Sequence, residues 1–308
     1  MDSDLAIVEM PVPPPGPAEV QLRVVAAGVN RADLVQAAGR YPLPSDANRI
    51  LGLEAAGHVS EVGDGVDPSI LGRPANALLD GGGYAEFVTV PVTQIRLLPD
   101  DADLTLAAAR AEALCTSWFN LVQLAGLKRG ETMLVHGGSG GVGHIAIQVA
   151  HALGATVLTT CGSPEKVRWC EELGADRAID YHGDVVAAVS EATEGRGVDV
   201  ILDLLGAGGL ESNLEMLAYG GRIAVIGLQQ GARGELDMGK LMDKRAMIMS
   251  SRLRRLSGRE KAVVVSGARA FAMDVTPHVH ATVPLEEARR AHKLMDEPAT
   301  VGKIVLTL

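Results

Sequence analysis

The spacing of apolar residues changes character near residue 102. Before that point, short alternating runs are cut by Gly and Pro, the mark of β-strands joined by turns. Val20–Ala27 (VQLRVVAA), Ala55–Val62, Ala75–Leu79 and Tyr84–Val90 are the strands this pattern predicts. Gly63-Asp64-Gly65 closes the second, and Gly81-Gly82-Gly83 separates the last two. Ahead of them, Met10–Pro17 (MPVPPPGP) reads as an extended lead-in, because proline fixes φ and removes ladder donors.

Beyond residue 102 the run Leu104–Leu124 is rich in Ala and Leu and reads as helical. Strands are then predicted at Thr132–Gly137, Thr156–Thr160, Arg177–Asp180, Val198–Leu205 and Arg222–Gly227. Helical patterns lie between them, at Gly141–Leu153, Pro164–Leu173, Asp184–Ala192 and Gly209–Leu217. This alternation means βαβ units and a parallel sheet. Ala246–Ser251 reads as an edge strand of that sheet. A helix at Gly258–Met273, a β stretch at Val279–Val283, a helix at Leu285–Met295 and a last strand at Lys303–Leu308 complete the chain. The fold class is therefore α/β, with β-rich ends around a βαβ centre.

Composition narrows the function classes. The 308 residues are 47% hydrophobic and 21% charged, enough to bury a core. Lys plus Arg total 28 against 38 Asp plus Glu, a formal charge of −10. Such an acidic chain lacks the basic face that nucleic acid requires, so no nucleic-acid partner is expected. The three cysteines, Cys115, Cys161 and Cys170, show no CxxC spacing, which excludes a four-Cys zinc knuckle and a disulfide framework. No apolar run reaches ~18 residues without Gly, His or charge, so no membrane span is expected. The N-terminus, with Asp2 and Asp4, lacks a signal-peptide layout, and a cytoplasmic protein is expected.

The most informative motif is Gly138-Ser139-Gly140-Gly141-Val142-Gly143, a GxGxxG. It follows the apolar strand Met133-Leu134-Val135 and opens a helix, the context in which this pattern binds a dinucleotide. Gly138 permits the tight turn, Gly140 lets backbone approach a pyrophosphate, and Gly143 lets helix and strand pack closely. An NAD-selective site carries Asp or Glu about 20 residues further on. Here that position falls at Gly162 and Ser163, with Lys166 and Arg168 following. A missing carboxylate removes repulsion against a 2′-phosphate, and Lys166 adds attraction. NADPH is therefore the expected cofactor, although Lys166 and Arg168 also read as ordinary exposed helix charges.

Several further segments carry a family resemblance. They are Gly28-Val29-Asn30-Arg31-Ala32-Asp33, Tyr41-Pro42, Leu51-Gly52-Leu53-Glu54-Ala55-Ala56-Gly57 and Gly302-Lys303-Ile304-Val305-Leu306. With the glycine loop, they resemble the zinc-free, zeta-crystallin-like NADPH:quinone oxidoreductases of the medium-chain dehydrogenase/reductase superfamily. The resemblance covers nearly the whole chain. It implies a GroES-like, β-rich substrate domain over 1–111 and 248–308. It also implies a doubly wound Rossmann domain over 112–247 that holds NADPH, with the active site in the cleft.

Zinc-using relatives take ligands at positions that match Asn30 and Leu53, and neither residue belongs to the usual ligand set. Glu112 falls near the third position, and one carboxylate does not hold a catalytic zinc. No metal is expected. By resemblance, Asn30 and Tyr41 lie beside the nicotinamide and the substrate carbonyl, where each donates a hydrogen bond to the oxygen gaining charge. The alternative for Asn30 is a turn residue bonded to its own backbone, and for Tyr41 it is loop packing. Thr116, Tyr181, Ile226, Gly227, Leu253 and Lys303 are the remaining cofactor contacts by position. His136 and His151 read as structural. The N-terminus looks short by a strand beside relatives, and the region 261–284 looks shortened too.

The expected reaction is hydride transfer from NADPH to a quinone or activated carbonyl. Reduction of an activated C=C bond, as in enoyl or alkenal reductases, stays open, as does a non-catalytic, crystallin-like NADPH-binding role. A homodimer is expected, joined along the apolar edge Ala246–Ser251, which would otherwise be an exposed pairing template.

Overall fold

The computed structural model describes residues 5–41 and 48–308; Asp2, Asp4 and Pro42, used above, lie outside them. Among the described residues the strands run in chain order as β1 Glu19–Gly28, β2 Glu54–Val62, β3 Pro74–Leu78, β4 Phe87–Pro91, β5 Ile95–Leu97, β6 Thr132–Val135, β7 Thr156–Cys161, β8 Arg177–Asp180, β9 Val198–Asp203, β10 Leu217–Val225, β11 Met247–Ser250, β12 Val279–Pro284 and β13 Lys303–Thr307. Chain contacts separate two units. The first holds the residues up to Cys115 with Arg254–Ala270 and Thr276–Leu308, and the second holds Thr116–Leu253 with Phe271–Val275.

The first unit is a seven-stranded sheet with the path β12-β13-β1-β2-β3-β5, and β4 added beside β1. Its pairs are antiparallel except for β12 with β13. β1 carries the architecture. Its register against β2 slips between Gln21 and Leu22 and again between Val24 and Ala26. Such irregularities bend and twist a strand. The bent strand pairs with β4 over Glu19–Arg23 and with β13 over Ala26–Gly28. One apolar core from both chain ends results, with Val20, Leu22, Val59, Ile95, Ile304 and Leu306 all buried.

The second unit is an all-parallel six-stranded sheet in the order β11-β10-β9-β6-β7-β8. The chain steps outward from β6 to β8, returns to β9 on the other side, and steps outward again. β6 and β9 therefore flank the point where the order reverses, the doubly wound Rossmann arrangement in which ligands bind beyond the strand C-termini. All four residues of β6 are buried, because helices cover both faces of a parallel sheet. The sheet core includes Leu134, Leu158, Ile201 and Ile223. At the edge, Met247 and Ile248 of β11 are exposed.

Several elements differ from the sequence pattern, which predicts neither β5 nor the short helix Met238–Asp243. The expected single helix Leu104–Leu124 is broken into Leu104–Ala108, Ala111–Trp118 and a wider π-type turn at Phe119–Leu124. Asp103 caps the first piece, accepting from Thr105 N at 2.8 Å. The break exposes Glu112 N, which donates to Glu54 Oε2 at 2.9 Å. The expected helix Gly258–Met273 stops at Ala268 and continues as a 3-10 turn to Phe271. A short helix at Arg31–Ala37, absent from the apolar pattern, is closed by Asp33, whose Oδ2 accepts from Asn30 N at 2.8 Å. No helix among the described residues is long and apolar enough to cross a membrane.

Candidate functional site

The loop after β6 is built on close approach. Gly137 adopts φ +68°, a left-handed conformation that costs glycine least. A Cβ on Gly138 would lie 2.0 Å from Thr159 Oγ1, and one on Gly143 would lie 2.2 Å from the Gly137 carbonyl oxygen. Only glycine fits at either point. Gly140 N donates to Gly137 O at 2.9 Å and closes the turn. The helix Gly143–Leu153 starts there, and the N–H groups of Ser139, Gly141 and Val142 make no hydrogen bond among the described residues. Unbonded donors at a helix N-terminus, reached over bare backbone, are the cradle a pyrophosphate requires. The dinucleotide reading of the loop thus fits the chain in steric detail.

The expected 2′-phosphate residues come together after β7. Ser163 caps the helix Pro164–Glu172, its hydroxyl accepting from Lys166 N at 3.3 Å. A Cβ on Gly162 would meet the Tyr181 hydroxyl at 2.3 Å, so the tyrosine lies directly across the glycine. Burial lowers the pKa of the Lys166 ammonium, while the nearby Cys161 and Cys170 thiols raise it. Glu165 turns to Arg168 at 3.7 Å, with both side chains largely exposed. Elsewhere in this unit Thr116 is buried, and its carbonyl accepts from Asn120 Nδ2 at 2.8 Å. Ile226 and Gly227 follow β10, and their N–H groups converge on Asp203 O at 2.8 and 3.3 Å. Leu253 opens the 3-10 turn Leu253–Arg255.

In the first unit, Asn30 and Lys303 meet on Glu54. Lys303 Nζ lies 2.7 Å from Glu54 Oε1 and donates to Asn30 Oδ1 at 2.6 Å. Asn30 Nδ2 donates to Glu54 Oε1 at 3.1 Å and to Gly28 O at 3.3 Å. The side chains of Lys303 and Glu54 are 2% and 0% exposed, so this is an ion pair removed from water. Both amide hydrogens of Asn30 are engaged inside the protein.

Asp33 lies beneath this group. It accepts from Asn30 N, from Gly52 N at 3.0 Å and from Tyr84 OH at 3.3 Å. Burial outweighs those bonds and pushes its carboxyl up to about 6. His292 Nε2 lies 3.3 Å from the same tyrosine hydroxyl, and burial pushes its imidazole down to about 4.

Tyr41 stands under Arg254, whose Cζ is 5.4 Å from the ring centroid. That guanidinium is held by Gln36 Oε1 at 2.5 Å and Asn48 O at 3.4 Å. Sequence reasoning passed over Glu54, Arg254 and Gly137. Glu54 stood inside a quoted motif, and Gly137 precedes the GxGxxG by one residue. No local signal marks Arg254.

Comparisons with known proteins agree with this architecture. A family model described as alcohol dehydrogenase GroES-like domain matches residues 16–100, and one described as zinc-binding dehydrogenase matches 141–288. The quinone oxidoreductase of Pseudomonas aeruginosa is 33% identical, covering 95% of this chain and 92% of its own length. A 2-haloacrylate reductase from a Burkholderia species is also 33% identical, covering 97% and 93%. The crystal structure of Escherichia coli quinone oxidoreductase complexed with NADPH superposes with a TM-score of 0.87 at 30% identity, over 98% of this chain and 95% of that one. The chain belongs to the medium-chain dehydrogenase/reductase superfamily, among its quinone-oxidoreductase-like members. Other curated relatives, mycobacterial phthioceranic/hydroxyphthioceranic acid synthases, match 95% of this chain at 31% identity, and the match spans only 14% of their length.

Two predictions follow from the buried groups of the first unit. Lys303→Met strands the Glu54 carboxylate without its cation, a loss of about 3–5 kcal/mol for a buried pair broken on one side. Adding Glu54→Gln recovers part of that stability in urea unfolding, and equal stability of the single and double variants contradicts the pairing. For Asp33, the folded state binds the proton more tightly than the unfolded state. Its contribution is fully present below about 4 and is lost as pH rises through about 6. The difference between pH 4 and pH 7 is of order 3 kcal/mol. Asp33→Asn removes that component, so the stability–pH profiles of wild type and variant diverge across this window. Parallel profiles contradict the assignment.

Proposed function

We propose that this chain is an NADPH-dependent oxidoreductase of zinc-free type that reduces quinones. The glycine loop carries the reading: its steric fit and its unbonded N–H groups suit a pyrophosphate. Ser163, Lys166 and Tyr181 around Gly162, with no carboxylate at the ribose position, suit a 2′-phosphate. Thr116, Ile226, Gly227 and Leu253 are the proposed contacts to the rest of the cofactor. NADPH, when bound, supplies a hydride from its nicotinamide.

The chain's own groups hold the acceptor. Tyr41 is the proposed donor to the acceptor oxygen. Arg254, fixed above the tyrosine ring, supplies a positive charge to the negative charge that develops there. Asn30, bonded to both Glu54 and Lys303, orients the strand end behind them rather than donating itself. The ammonium of Lys303 on Glu54 supports the zinc-free reading, because a cation already neutralises that carboxylate. Reduction of an activated C=C bond is a second reading. It is favoured by the 33% identity to a protein named 2-haloacrylate reductase.

Stopped-flow oxidation of bound NADPH against ortho- and para-quinones, an enal and an enone tests both readings. Quinones should turn over fastest, with NADPH preferred over NADH at least about tenfold, ~1.4 kcal/mol. Lys166→Met should erase most of that preference. Turnover of the enone alone supports the second reading, and tight NADPH binding without turnover of any acceptor contradicts both.

The assembly we propose is a homodimer joined along β11, whose exposed Met247 and Ile248 leave a parallel sheet edge open. Sedimentation at micromolar concentration should give twice the chain mass. A single monomer species contradicts this, and Ile248→Lys should produce one.

A further inference from the structure

His136 is the first residue beyond β6, and it is buried. Its ring is held at both ends. Nε2 is 2.7 Å from Asn213 Oδ1, and Nδ1 is 3.3 Å from Thr160 Oγ1. An amide oxygen only accepts, so Nε2 carries the proton and Nδ1 accepts the threonine hydroxyl. That tautomer has a consequence downstream. Thr160 Oγ1, its own hydrogen directed at the ring, turns a lone pair to Gly137 N at 3.2 Å. The Thr160 carbonyl takes the next amide, Gly138 N, at 2.9 Å.

The chain of bonds thus ends on the peptide from which the whole loop turns. Gly137 is the left-handed residue, and its carbonyl accepts Gly140 N and faces the Cα of Gly143 so closely that no Cβ fits. A shift of that peptide moves the open N–H groups of Ser139, Gly141 and Val142 together. Protonation of the ring would turn Nδ1 into a donor and break the polarity of the chain. Burial lowers the pKa of the imidazole, against the raising effects of the Asn213 hydrogen bond and the nearby Asp203 carboxylate. Asp203 in turn accepts from Leu205 N and Gly206 N. Asn213 Nδ2 is buried with no hydrogen-bond partner among the described residues.

We propose that His136, acting through the Thr160 hydroxyl, is a positioning residue that sets the geometry of the glycine loop and thereby the affinity for the cofactor's pyrophosphate. This rests on the reading of that loop as the cofactor cradle. His136 contacts no substrate, and its effect is on binding, not on the chemical step.

The test is a set of full-length variants assayed for the NADPH dissociation constant and for kcat at saturating NADPH. Thr160→Val keeps the β-branched shape of the strand residue and removes only the hydroxyl. It should weaken NADPH binding roughly fivefold, the effect of one hydrogen bond, with kcat within about twofold of wild type. Thr160→Ser restores the hydroxyl and should restore the affinity. His136→Phe combined with Thr160→Val should be no worse than the more severe single variant, because both break one chain. Equal affinity of the Val and Ser variants, additive losses, or a fall in kcat at unchanged affinity each overturn the proposal. Gly140→Val serves as the independent check on the cradle. If it abolishes NADPH binding while Thr160→Val leaves it unchanged, only the positioning role fails. If neither variant alters NADPH binding in a folded protein, the cradle reading fails with it. Thermal melts of every variant separate these outcomes from misfolding.

Discussion

The first strand and first helix of the parallel sheet meet more closely than any side chain permits. Gly138 and Gly143 have no room for a Cβ, and the Gly137 carbonyl fills the space between them. This steric constraint determines what the second unit can do. It leaves donors at the start of the helix unbonded and bare. It also places them at the reversal of strand order, where a doubly wound sheet offers a crevice. The proposed preference for a phosphorylated cofactor rests on neighbouring side chains. At the end of the second strand of that sheet, a glycine, a capping serine and a lysine stand where a carboxylate would select the unphosphorylated form.

The first unit depends on a different kind of interaction. Its sheet is made from both chain ends, and the Glu54–Lys303 pair joins an early strand to the last one out of water. Burying two charges is costly unless their remaining hydrogen-bonding capacity is filled. Asn30 and the Glu112 amide fill it here. The same carboxylate therefore ends one helix break, fixes one loop amide and neutralises one lysine. Asp33, in the next layer, is held between its bonding partners and its burial, and so responds to pH in a range where ordinary aspartates do not.

Much of this was legible in the sequence where the physics is local. Strand alternation, proline and glycine punctuation, and the GxGxxG between an apolar strand and a helix need only near neighbours to be read. The serine and lysine beyond the second parallel strand were legible by spacing. What escaped depends on distant partners or on weak local signals. The break near residues 109–110 reflects an amide reaching a carboxylate 58 positions away. The helix Arg31–Ala37 has seven residues and too few apolar positions to show a period. Gly137 was overlooked because its left-handed backbone lies outside the motif, although the motif turns on it. Arg254 meets Tyr41 across more than two hundred residues of chain, and no spacing rule predicts such a contact.

In the proposed complex the backbone of the glycine loop holds the pyrophosphate, and the residues around Gly162 hold the 2′-phosphate. Amide hydrogen exchange of the intact protein, alone and with NADPH or NADH, addresses both parts together. Both cofactors should slow exchange at Ser139, Gly141 and Val142, and only NADPH should add protection over Gly162–Lys166. Saturating NADPH with unchanged exchange across the loop would contradict it.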